Sequence, residues 1–164
     1  MRAMRRLSEQ SLANVALHYL RRYSASRKGL RQVLERRVKR HLREKGGDAA
    51  TAAPMIDAVV ARMVSAGYVD DARLAESKAG SLHRAGKSVR MVRIKLRQKG
   101  IEADVIAQVT PTDPDKELEA ASTLVRKKKL GRDPERRQKD LAVLMRGGFT
   151  YDVAKRALAN RADP

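Results

Sequence analysis

Leu96-Arg97-Gln98-Lys99-Gly100-Ile101-Glu102-Ala103-Asp104-Val105 is the stretch on which the fold turns, because the chain repeats its plan 48 residues later. There it reads Leu144-Met145-Arg146-Gly147-Gly148-Phe149-Thr150-Tyr151-Asp152-Val153, with leucine, glycine, aspartate and valine at matching positions. A shorter copy, Leu42-Arg43-Glu44-Lys45-Gly46, lies 54 residues before the first stretch. In each copy an apolar position belongs to the end of one helix and the glycine supplies a left-handed C-terminal turn. That turn lets the chain reverse into the next helix.

Working outward, Gly and Pro punctuation and apolar spacings of three and four predict helices over 11–22, 27–45, 54–66, 70–84, 88–99, 102–109, 115–129, 134–146 and 150–159. Leu30, Val33 or Leu34, Val38 and Leu42 form one apolar stripe, and Ile56, Val59, Val60 and Met63 another, the latter starting from Pro54 in a first helical turn. The expected fold is all-α: a tandem array of three three-helix, helix-turn-helix-like repeats, elongated, with its curvature open. A triplet of about 45 residues buries too little surface to be secure alone, so neighbouring units should stack. The expected boundaries are a basic tail at 1–11, repeats at 12–67, 68–110 and 111–160, and a short tail at 161–164. The first repeat carries a long flexible loop at 46–53.

Charge narrows the partners. The 164 residues include 37 Lys and Arg against 19 Asp and Glu, a formal net charge of +18. Solubility needs only about 2 to 8 units, so the surplus is a footprint for polyanions: DNA, RNA, a nucleoprotein or an acidic protein face. Three runs carry it. Residues 84–99 hold seven basic side chains and no acid, among them Arg84, Lys87, Arg90, Arg93 and Arg97. Arg126, Lys127, Lys128 and Lys129 end another helix, and Arg36, Arg37, Lys39 and Arg40 crowd a third. Aromatic residues are few, only Tyr19, Tyr23, Tyr68, Phe149 and Tyr151, with no Trp. A base-stacking platform needs more than this, so contact is expected to be electrostatic and weakly sequence-selective.

Chemistry is missing. No phosphate-cradling GxxxxGK[ST] loop occurs, and there is no Cys to act as nucleophile, metal ligand or disulfide partner. His18, His41 and His83 are far apart and lack metal-ligand spacing. Asp70 and Asp71 stand at a helix start, where capping explains them better than acid-base work; Asp113, Asp115, Glu117 and Glu119 crowd another start. No catalytic, cofactor-binding or metal-binding set is expected, and the chain is not read as an enzyme. Lack of Cys fits a reducing cytoplasm, and no apolar run approaches the length of a signal peptide core or a membrane span.

Tyr68-Val69-Asp70-Asp71-Ala72-Arg73-Leu74-Ala75-Glu76, then Arg84-Ala85-Gly86-Lys87-Ser88 and Leu96-Arg97-Gln98-Lys99-Gly100-Ile101, resembles the RecX family of regulators of the RecA recombinase. Ala16-Leu17-His18-Tyr19-Leu20 and Arg146-Gly147-Gly148-Phe149-Thr150-Tyr151-Asp152-Val153 are similar to that family's first and last repeats, so the resemblance covers about residues 12 to 159. Leu74 stands where an aromatic is common in the family, and Lys95 where an acid often precedes the leucine. The resemblance implies a cytoplasmic bacterial protein that binds the RecA-DNA filament and inhibits its ATPase, strand-exchange and coprotease activities, and so acts in recombinational repair and the SOS response. On this reading the three basic runs face RecA or DNA, with no membrane involved and the protein a monomer. The alternative is a basic helical module that binds DNA or RNA without RecA.

Overall fold

The computed structural model describes residues 7–160, which hold nine α-helices and no strand. These are α1 (Glu9–Leu20), α2 (Arg27–Lys45), α3 (Ala49–Ser65), α4 (Asp71–Arg84), α5 (Val89–Gln98), α6 (Ala103–Val109), α7 (Pro114–Lys128), α8 (Arg137–Arg146) and α9 (Tyr151–Ala159). The expected tails lie wholly or partly outside the described residues. Two compact units result, one running through Leu74 and including Lys99–Ile101, the other made of Ala75–Gln98 and the residues from Glu102 onward.

In the first unit α1, α2 and α3 all pack on one another. Leu12 and Ala16 from α1, Leu30, Leu34 and Val38 from α2, and Ile56, Val59 and Met63 from α3 close a common core. The stripe at spacings of three and four is thus one face, buried at Leu30, Leu34 and Val38 and partly at Leu42, and basic residues fill most other positions of α2. In the second unit α7, α8 and α9 pack likewise, around Ala121, Val125, Leu141, Leu144, Phe149 and Leu158. Here α5 packs on α6, burying Val92, Leu96 and Ile106.

One boundary departs from expectation. The loop expected at 46–53 contracts to the turn before α3, because Asp48 caps the helix by accepting the Ala50 N–H at 2.9 Å. The alanine-rich run that follows has high helix propensity, and Ala52 is buried. Pro54 therefore lies inside α3 and not in its first turn, and the capped, packed helix accommodates the missing N–H. Elsewhere the ends shift by a residue or two, and 134–136 forms a 3-10 turn ahead of α8.

Helix α7 starts from Asp113, whose carboxylate accepts the Asp115 and Lys116 N–H groups and pairs with Lys116 Nζ at 3.2 Å. The Lys116 backbone N–H, then its ammonium, hold this carboxyl below its ordinary value of 3.8. Its contribution to the helix is therefore present above that value and fades as pH falls through the lower native one.

A polar joint recurs in both units. Ser26 caps α2 and is buried; its hydroxyl accepts the Gly29 N–H at 3.0 Å and donates to the Lys99 carbonyl. Beside it the Arg27 N–H donates to Asp71 Oδ1 at 2.8 Å. Ser88, before α5, repeats this: it is fully buried, accepts the Met91 N–H at 3.3 Å and donates to the Gly147 carbonyl at 2.7 Å. There the Val89 N–H donates to Glu117 Oε2 at 2.9 Å. In both joints the accepting carbonyl precedes a glycine pressed against the serine's helix, so a Cβ at Gly100 would lie 2.8 Å from Lys28 Cβ and one at Gly148 2.5 Å from Ser88 Oγ. Helix α8 has no such serine; Arg136 is its N-cap, with no side-chain cap bond.

Candidate polyanion-binding faces

The α2 group, Arg36, Arg37, Lys39 and Arg40, is exposed throughout, on the solvent side of the helix that buries Leu34 and Val38. Arg37 also lines a cleft with His18 of α1 and His41 of α2. Those two histidines are far apart in the chain, and only the packing of α1 on α2 brings them together.

In the second unit the two other basic runs meet. The turn between α4 and α5 lies on α7: Gly86 is buried, and a Cβ there would stand 3.1 Å from the Leu124 nitrogen and 3.2 Å from the Ala120 carbonyl oxygen. Lys127 Nζ donates to the Ala85 carbonyl at 3.1 Å, tying the end of α7 to that turn. Arg84 and Arg126 line one groove, with Lys116 and the acids Glu76, Asp113 and Glu119. His83 lines it too, its Nδ1 buried without a hydrogen-bond partner among the described residues. The start of one run and the 126–127 part of the other, 42 residues apart at that contact, thus meet, which spacing along the chain does not reveal.

The cations of these two runs differ in freedom. Arg84, Arg90, Arg97 and the 126–129 cluster are exposed, and Lys87 is half-buried. Arg126 Nη2 donates to Thr123 Oγ1 at 2.9 Å, and Lys129 takes the left-handed conformation, φ 55°, that ends α7. Arg93 is engaged within the fold, where its Nε donates to Thr110 Oγ1 at 3.0 Å and its Nη2 to the Thr110 carbonyl at 2.7 Å. Thr110 is 1% exposed and its hydroxyl donates to the Ile106 carbonyl at 2.6 Å, so Arg93 closes the negative end of α6. Replacing Arg93 with alanine should cost about 2 kcal/mol, the range for charge-assisted hydrogen bonds, and urea unfolding measures it. Lysine, which lacks the planar two-pronged donor, should recover less than half.

Among the described residues no group of three or more His, Cys, Asp or Glu could hold a metal ion, and no helix is long and apolar enough to cross a membrane. The arrangement presents exposed cationic helix faces.

The fold is that of an all-helical protein with helix-turn-helix-like units. Residues 70–109 match the family model described as RecX, second three-helix domain. The regulatory protein RecX of Myxococcus xanthus is 39% identical over 163 residues, covering 94% of this chain and 87% of that one. The RecX of Mycolicibacterium smegmatis is 34% identical over 119 residues, covering 64% and 63% of the two chains. The crystal structure of RecX from Lactobacillus salivarius superposes with a TM-score of 0.71 at 20% identity over 93% of this chain and 95% of that one, so the fold is shared. A second RecX crystal structure gives a TM-score of 0.67 at 22% identity, covering 90% of this chain and 70% of that one. The chain belongs to the RecX family of regulatory proteins.

Proposed function

We propose that this protein is a negative modulator of RecA that binds the RecA-DNA filament and inhibits its ATPase, strand-exchange and coprotease activities. On this reading it regulates recombinational repair and the SOS response. The observation that carries the reading is family membership through a relative 39% identical over nearly the whole chain. The geometry supports it: Arg84 at the start of one run and Arg126 of the other line one groove, and exposed cations on α5 and α2 add further faces. Such faces suit a target that is itself a polyanion, combining acidic protein surface with DNA phosphates. A ligand of this kind shifts filament dynamics only through different affinities for different filament states. It works as a monomer in the cytoplasm, takes no cofactor and carries out no chemistry of its own.

The test is RecA's single-stranded-DNA-dependent ATPase, titrated with this protein at a salt concentration where it does not bind naked DNA. Loss of hydrolysis at substoichiometric ratios is the expected result. An unchanged rate with folded protein would replace the reading with a nucleic-acid module acting without RecA.

A further inference from the structure

Tyr19 and Tyr23 occupy the end of α1 and the turn after it, with ring centroids 5.1 Å apart and planes inclined by 37°. Tyr19 is half-buried, whereas Tyr23 is 57% exposed. One ring thus braces the other and leaves it open to solvent. The Tyr23 N–H donates to the Tyr19 carbonyl at 3.0 Å, which fixes the turn that carries the outer ring.

Four cations surround this pair in the chain: Arg21, Arg22, Arg27 and Lys28, all exposed. Residues 19–28 contain no acid. Among the described residues no carboxylate lies within ion-pair distance of those four side chains. The nearby Asp71 carboxylate accepts the Arg27 backbone N–H through Oδ1 at 2.8 Å and pairs with none of the four side chains. The large apolar side chains exposed elsewhere are Tyr68, Met145 and Tyr151, and no exposed aliphatic side chain borders Tyr23 within 19–28.

We infer that Tyr23, braced by Tyr19 and flanked by Arg21, Arg22, Arg27 and Lys28, is a stacking platform for an unpaired base of single-stranded DNA. Composition argued against such a platform by counting aromatics, but one braced ring beside cations is enough to stack one base. A duplex hides its base faces, so it gains from the cations and nothing from the ring. A protein partner would want a wider apolar surround for an aromatic anchor, and along the chain Tyr23 stands among exposed cations, with Leu20 and Ala25 half-buried. The assignment deepens the DNA component of the proposed function and rests on that reading for its setting, a filament on a single strand.

The test uses the full chain and fluorescence anisotropy with a labelled thymidine oligomer of about 20 nucleotides, beside a duplex of equal length, across a salt series. Tyr23→Ala should weaken oligomer binding about tenfold with an unchanged salt slope, and should change duplex binding less than about twofold. Tyr23→Phe should bind as wild type does. Arg27→Ala should lower the salt slope by about 0.7. Circular dichroism checks that each variant keeps its helicity. Wild-type oligomer affinity in Tyr23→Ala, or equal losses on oligomer and duplex, overturns the assignment. So does a Tyr23→Ala variant that loses RecA inhibition while its oligomer affinity is intact, since that places protein on the ring. Conversely, the expected Tyr23 dependence in a protein that leaves the RecA ATPase untouched upholds the platform and sinks the RecA reading.

Discussion

Replacing Arg90 and Arg97 together with glutamate is expected to raise the concentration needed for half-inhibition of the RecA ATPase about thirtyfold, with helicity unchanged. Both side chains are exposed on α5, whose opposite face buries Val92 and Leu96, so their reversal leaves the core alone. An exposed charge pair is worth about 0.2–1 kcal/mol, and reversal converts each attraction into a repulsion. Two positions then sum to about 2 kcal/mol, which is about thirtyfold in affinity. The loss should shrink as salt rises. Arg93, between them, is the wrong residue for this test, because a glutamate there would face the Thr110 carbonyl and destabilise α6. Full inhibition by a folded Arg90→Glu, Arg97→Glu protein would remove α5 from the contact surface.

The largest loss of stability should come from Gly148→Ala. Gly148 has φ +90°, and an added Cβ would meet Ser88 Oγ at 2.5 Å, against the hydroxyl that holds the Gly147 carbonyl. Backbone strain contributes about 1 kcal/mol, and displacing a buried hydrogen bond a further ~1–3 kcal/mol, for a total of about 3 kcal/mol. Gly67→Ala is the control: its φ is +74°, yet nothing lies within 4 Å of the new carbon, so only the backbone contribution of about 1 kcal/mol remains. Urea denaturation of both variants decides the matter. Equal losses would mean that the joint adds nothing beyond turn geometry.

What the sequence made legible follows from period and punctuation. Apolar residues at spacings of three and four identified the faces that α1, α2, α3, α7 and α9 bury, because that spacing is the helix's own geometry. Pro54 lies inside α3, although a proline marks a first turn more often than an interior, and neither spacing nor punctuation marks Asp48 as the cap that starts the helix. The basic runs were visible as charge, but their division of labour was not. Arg93 differs from Arg90 and Arg97 only through Thr110, 17 positions away. Longer-range partnerships were out of reach: Ser26 meets a carbonyl 73 positions on, and Ser88 one 59 positions on. Asp71 and Glu117 looked like helix-start acids, and their true partners are N–H groups of other helices.

The serine joint also has a direction. One half donates, a capping serine with the N–H that follows it; the other accepts, a carbonyl ahead of a crowded glycine with a carboxylate nearby. The donating half occurs at α2 and α5, and α8 begins instead from Arg136 with no side-chain cap bond. Gly46, at the end of α2, has the φ +71° of an accepting turn, with open space around it. A second copy of the chain brought to that turn would find no serine on α8 to donate. Among the described residues the joint is thus made twice, and its donating half is used up at α2 and α5.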